Sequence, residues 1–268
     1  MIIKRPSFLL AQLLSLKHIR SSTFAVAETA PLPNNISIPI PQNSLQQFPL
    51  SSLVSPNMTL APVICVSHGG GPLPVLGDPM HKEIVKSLQT RVPALLKLGT
   101  PEAPRAIVLV TAHWSERNPT ISSAAKHELL YDYYGFPPES YKLRYDAPGS
   151  PEVAREVAAA LKGVGLEPKL DETRGWDHGV FIPLLLINPA ANIPIVQLSV
   201  LRSESPGAHF AIGRALHSLR ASNVAILGSG FASFHNLRLM FGGAGSDPAF
   251  RARNAAWSEA VGEAVVEE

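Results

Sequence analysis

The chain has 268 residues, 46% of them hydrophobic and 16% charged, enough to bury a substantial core and to exclude disorder throughout. Its single cysteine, Cys65, excludes a disulfide framework and every cysteine-based zinc module, so any metal would be held by histidine and carboxylate. Formal charge is +2, but Lys4, Arg5, Lys17 and Arg20 face only Glu28 among the first 60 residues; the near-neutral remainder offers no electrostatic reason to expect nucleic acid, and no apolar run reaches the roughly 18–20 residues of a membrane-spanning helix.

Residues 1–27 contain no acid, carry spaced Lys and Arg, and place leucines through Phe8–Leu16. Such a basic, amphipathic start predicts a mitochondrial targeting peptide. The alternatives are a secretory signal, since Ala25-Val26-Ala27 imitates its cleavage site, or a tail with no targeting role that leaves the protein in the cytoplasm. Residues 28–61, rich in Pro, Asn, Ser and Gln, read as an unstructured linker.

From residue 62 to 268 the pattern is that of one folded domain. Four short, nearly all-apolar runs rich in Val and Ile predict strands at Val63–Val66, Ala106–Thr111, Ile193–Val200 and Val224–Leu227. Between them, helical patterns occupy 79–98, 150–163, 179–187 and 205–221, and a last helix spans 247–265. Ser150-Pro151 and Ser205-Pro206 each place a capping hydroxyl before a proline at the first helical position. The alternation predicts an α/β fold: a largely parallel central sheet flanked by helices, with ligands at the carboxyl ends of the strands.

The nine histidines carry most of the functional signal. His68 follows the first strand in Ser67-His68-Gly69-Gly70-Gly71-Pro72, His113 follows the second in Thr111-Ala112-His113-Trp114, and His235 lies shortly after the fourth in Phe234-His235-Asn236. Each alone reads as a hydrogen-bonded loop residue. Three at successive strand ends make a site for a divalent metal an equal alternative, because neutral imidazoles can hold such an ion and leave positions open. His178, in Trp176-Asp177-His178-Gly179 at a helix start, is the candidate base, since a helix N-terminus disfavours imidazolium. Asp177 adjoins it, but neighbouring side chains often point apart. His81, His209 and His217 fall in helical stretches and are expected in solvent; His127 is expected to be structural. Trp114, Tyr133, Tyr134, Phe136 and Tyr145 are candidates for an aromatic pocket, with packing as the alternative. Gly69–Gly71 lacks the Lys-Ser/Thr of a phosphate loop, Gly228-Ser229-Gly230 lacks the third glycine of a dinucleotide fingerprint, and there is no Gly-x-Ser-x-Gly elbow.

Taken in order, Ser67–Pro72, Thr111–Trp114, Tyr134-Gly135-Phe136-Pro137, Tyr145–Ser150, Trp176–Gly179 and Gly228–Gly230 with His235-Asn236 resemble the class III extradiol ring-cleaving dioxygenases, in their DOPA 4,5-dioxygenase-like branch. The resemblance implies a mononuclear iron(II) site, with zinc possible in the same place. His68, His113 and His235 match metal-ligand positions; His178 matches the acid/base histidine, which some descriptions also count as a ligand. It further implies that a catechol, DOPA or another dihydroxyphenyl compound, takes up O2 and opens to a muconic semialdehyde, chemistry that iron supports and redox-inert zinc does not. A zinc-dependent hydrolase or lyase on the same histidines, and a catalytically idle binding protein of the Memo type, are the alternatives. Family members usually continue some tens of residues beyond Glu268, so the usual C-terminal segment is expected to be lacking.

Overall fold

The computed structural model describes residues 60–230 and 247–266. The expected targeting peptide, nearly all of the expected linker, and His235 lie outside the described residues.

Six strands form one sheet: β1 (Val63–Val66), β2 (Ala106–Glu116), β3 (Thr120–Ser122), β4 (Lys169–Asp171), β5 (Ile195–Leu201) and β6 (Val224–Ser229). Their spatial order is β1-β6-β2-β5-β3-β4. The first four in that order run parallel; β3 is antiparallel to β5, and β4 is parallel to β3. Each of the four parallel strands overlaps one of the apolar runs of the sequence. The three-residue β3 and β4 were not anticipated, because so short a segment shows no period.

The described helices of two turns or more are α1 (Lys82–Leu95), α2 (Pro151–Gly163), α3 (His178–Ile187), α4 (Pro206–His217) and α5 (Pro248–Val266). Ser150 Oγ accepts the Val153 N–H and Ser205 Oγ accepts the Ala208 N–H, so both expected caps open their helices. Alternate residues of the buried strands serve two cores. Val108, Val110, Val196, Leu198 and Ile226 meet α2 and α4 on one face, with Trp257 and Val261 of α5 packed against the same cluster. Ile107, Leu109, Ile195, Ala225 and Leu227 meet α1 and α3 on the other. Both faces being covered is what makes these strands read as continuous apolar runs. Helix α3 buries Val180, Phe181, Ile182, Leu184 and Ile187, as expected of a helix without a polar face. Among the described residues, no helix is long and apolar enough to cross a membrane.

β2 outlasts its expected end. Between Val110 and Ser115 it advances five residues while its partner β5 advances two, from Leu198 to Val200. The surplus chain is a bulge carrying Thr111, Ala112, His113 and Trp114, so His113 lies inside the strand rather than beyond it.

Candidate metal centre

His68 leaves β1 and immediately enters the glycine turn. Gly69 has φ +80°, and a Cβ there would lie 2.5 Å from His81 Cδ2 and 2.6 Å from Pro74 Cγ, so both backbone and space demand glycine. On the other side, a Cβ on Gly230, φ +91°, would stand 2.8 Å from His68 Cε1. The His68 imidazole thus lies against a stretch of backbone that can carry no side chain. The β2 bulge brings His113 to it, and Nε2 of His113 lies 3.0 Å from Nε2 of His68. His178, the first residue of α3, completes the group: its ring centroid is 4.1 Å from that of His113 and 5.2 Å from that of His68. One ligand nitrogen from each of the three lies within 4.8 Å of the others. His68 is buried and His113 is exposed, so the group is open on one side. The structure brings together three of the four histidines singled out in the sequence; the fourth, His235, lies outside the described residues.

The outer nitrogens of His178 and His68 are held by acceptors. Asp132 Oδ1 lies 2.8 Å from His178 Nδ1 and also accepts the His178 backbone N–H at 2.9 Å. Burial pushes the Asp132 carboxyl up, but the hydrogen bonds and charge of His178 outweigh it and hold the carboxyl below its usual range. A carboxylate can only accept, so Nδ1 of His178 carries hydrogen, and in the neutral imidazole the lone pair is on Nε2. For His68 the partner is Ser229: its Oγ is 2.8 Å from Nδ1, and its hydroxyl hydrogen goes to the Gly179 carbonyl. With that hydrogen committed, the Ser229 oxygen accepts from Nδ1–H, and Nε2 of His68 again retains its lone pair.

This donor set fits a metal. Two nitrogens that each ligate a common ion at about 2.1 Å can stand at most about 4.2 Å apart, and the Nε2 atoms of His68 and His113, 3.0 Å apart, fall within that limit. Imidazoles whose outer N–H groups are bound by a carboxylate and a hydroxyl are oriented as metal ligands commonly are.

Asp177, the sequence neighbour of His178, turns away from it into the protein. Fully buried, it accepts from Thr111 Oγ1 at 2.8 Å, Gln197 Nε2 at 2.6 Å and Arg174 Nη2 at 3.1 Å. Burial and the charge of Asp132 push its pKa up, against the pull of Thr111, Arg174 and His178. Thr111 Oγ1 also accepts the His113 backbone N–H at 3.2 Å. Asp177 therefore ties the start of α3 to the bulge that presents His113.

Three expectations about other residues are corrected. His81 is not a solvated helix residue: it closes a 3₁₀ turn just before α1, its Nε2 accepts the Gly70 N–H at 3.0 Å, and its Nδ1 pairs with Asp78. His209 is 2% exposed; its Nε2 accepts the Leu201 N–H at 3.0 Å while Nδ1 donates to Ser205 O at 2.7 Å, and burial pushes its pKa down. His217 is half-buried rather than solvated. For His81 and His209, a helical period in the sequence does not show the neighbouring loop backbone that binds the ring. His127 is structural, as expected, with Nδ1 donating to Arg174 O at 3.0 Å and its ring 5.4 Å from Trp176.

The aromatic candidates divide. Trp114 is buried beneath the Arg174 guanidinium, 4.8 Å from its ring, and buried Tyr145 donates its hydroxyl to Asn188 O, so both are packing residues. Tyr134 is 88% exposed. Tyr133 borders the histidine group, its ring edge-on to His178 at 6.0 Å; its hydroxyl donates to Ser140 O, and burial pushes its pKa up to about 12. Phe136 packs on Tyr133 at 5.5 Å and lies against Gly71.

A mostly parallel sheet with three imidazoles gathered from a strand end, a strand bulge and a helix start is an α/β domain with a candidate metal site. Residues 62–262 match the family described as the catalytic LigB subunit of aromatic ring-opening dioxygenase, and the chain belongs to that family, the class III extradiol dioxygenases. It is 61% identical over 188 residues to dioxygenase tasH of Hapsidospora irregularis, covering 69% of this chain and 58% of that protein. It is 34% identical over 169 residues to the 4,5-DOPA dioxygenase extradiol of Beta vulgaris, covering 63% and 60% of the two chains. The protein of that name from Escherichia coli (strain K12) is 34% identical over 191 residues, covering 71% and 66%. The chain thus spans about three fifths of the length of the first two of these relatives.

Proposed function

We propose that the protein is an extradiol dioxygenase that uses a divalent metal to insert O2 into a catechol and open its ring to a muconic semialdehyde, with DOPA or a similar dihydroxyphenyl compound as substrate. The observation that carries this reading is the convergence of His68, His113 and His178, with the outer nitrogens of His68 and His178 held by Ser229 and Asp132. His68 and His113, with His235 from outside the described residues, are the proposed ligands. Iron(II), when bound, would supply the redox chemistry that joins a catechol to dioxygen.

His178 takes the catechol proton at Nε2. Its Nδ1–H stays on Asp132, whose carboxylate stabilises the imidazolium as it forms. Tyr133, edge-on to His178, and Phe136 behind it supply an apolar wall that limits the approach of water to that nitrogen and offers a face to an aromatic ring. The exposed side of His113 leaves an entry for a small substrate.

The test is anaerobic loading of the full chain with iron(II), followed by DOPA or simple catechols in air. Oxygen uptake with a yellow ring-opened product is expected, and zinc loading should give none. No oxygen uptake with any catechol would refute the reading.

A further inference from the structure

Helix α3 contains a proline in its interior, Pro183, and this residue is fully embedded in the core. Proline has no N–H, and its ring pushes away the carbonyl four residues earlier. In α3 that carbonyl belongs to Gly179. It is therefore denied its helical donor, and a buried carbonyl without a partner is costly. The partner it has comes from outside the helix: the hydroxyl of Ser229, at the end of β6.

We infer that Pro183 and Ser229 are positioning residues for His68, with the proline setting the imidazole's tautomer through the serine. The chain of cause has three links. Pro183 leaves the Gly179 carbonyl open. That carbonyl takes the only hydrogen of Ser229. The serine oxygen can then only accept at His68 Nδ1, 2.8 Å away, which places a hydrogen on Nδ1, so that in the neutral imidazole the lone pair is on Nε2, 3.0 Å from His113 Nε2. With a residue bearing an N–H at position 183, the helix would satisfy Gly179 itself. Ser229 could then rotate and donate to Nδ1, moving the imidazole hydrogen to Nε2, where it blocks metal ligation. A residue that costs helix stability thus keeps an imidazole in its ligating form. The inference deepens the proposed metal site and rests on that reading for its purpose, but the tautomer is a property of the metal-free protein.

The experiment is a double-mutant cycle on the full chain with Pro183→Ala and Ser229→Ala. Two quantities are read: the tautomer of His68 from its imidazole nitrogen resonances in the metal-free protein at pH 8, and the affinity for Co(II). Wild type should show the Nδ1–H form. Pro183→Ala should populate the Nε2–H form and weaken Co(II) binding about tenfold, within the about 10–100-fold range typical of residues that orient metal ligands. Ser229→Ala should weaken Co(II) binding by about the same factor, and adding Pro183→Ala to it should change nothing further, because the proline acts only through the serine. A purely structural proline would give additive losses and an unchanged tautomer, which overturns the inference. If Pro183→Ala does not fold, Pro183→Val restores the N–H with more bulk, and Ser229→Ala alone still decides: an unchanged tautomer and affinity overturn the inference. Wild-type and Pro183→Ala tautomers as expected, but with no catechol opening or no Co(II) binding by wild type, would sink the proposed function and leave this inference standing; an unchanged tautomer in Pro183→Ala would overturn the inference whatever the metal does.

Discussion

Two histidine–aspartate pairs stand near His68 and do different things. In both, an aspartate takes the hydrogen on Nδ1 and leaves Nε2 as an acceptor. His178 and Asp132 are 46 residues apart, and the tertiary fold brings them together so that Nε2 is left for the histidine group. His81 and Asp78 are three residues apart within one turn, and Nε2 is spent on the Gly70 N–H, clasping the turn that follows His68. The difference teaches that a His–Asp pair is not a catalytic signature by itself. Its role is decided by what the second nitrogen faces.

Removing the two imidazoles should separate these roles. His178→Ala should lower turnover of a catechol by about 10²–10⁴-fold, the usual contribution of a general base, while largely preserving metal content; loss of the metal instead would make His178 a ligand. Asp132→Asn keeps an acceptor at Nδ1 but removes the charge that stabilises imidazolium, so turnover should fall about 10–100-fold with little change in KM. Unaltered turnover in that variant would erase the distinction between the pairs. On the other side, His81→Ala strips the half-buried Gly70 N–H of its acceptor and should cost about 0.5–1.5 kcal/mol in urea unfolding. His81→Gln, which can offer a side-chain oxygen to the same N–H, should recover part of that loss. A turnover defect in His81→Ala as large as that in His178→Ala, at full metal content, would show that the clasp has a chemical role.

The smallest effect sharpens the contrast from outside the histidine group. His209 is held neutral by burial, so its pKa is lower folded than unfolded. As pH falls below about 6.5, the unfolded state takes up the proton first and stability drops until the folded pKa is reached; above that window this group contributes no pH dependence. His209→Gln, compared with wild type by urea unfolding at pH 7.5 and pH 5.5, should lose less stability on acidification. An equal loss in the two proteins would contradict this.

Much of the parallel core is legible in the sequence because burial on both faces writes continuous Val and Ile runs: β1 and the starts of β2 and β6 fall where those runs fall. The serine–proline openings of α2 and α4 are equally legible, since capping is a local matter. For the candidate site, the positions of His68, His113 and His178 are readable from their places near strand and helix ends. Their partners are not. Asp132 lies in an irregular tyrosine-rich segment with no periodic pattern, and only an acid among aromatics at Tyr131-Asp132-Tyr133 could have drawn notice. Ser229 stands in a Gly-Ser-Gly sequence that looks like a failed nucleotide fingerprint, and its role depends on a proline 46 positions earlier. The bulge in β2 depends on a register against β5 that no single strand encodes.

The most direct measurement is Co(II) titration of metal-free wild type against His68→Ala and His113→Ala, followed by the visible absorption of the bound ion. One ion per chain is expected in wild type, with binding weakened at least a hundredfold in either variant while the fold is retained. Binding of equal strength and identical absorption in all three proteins would contradict a shared site at these histidines.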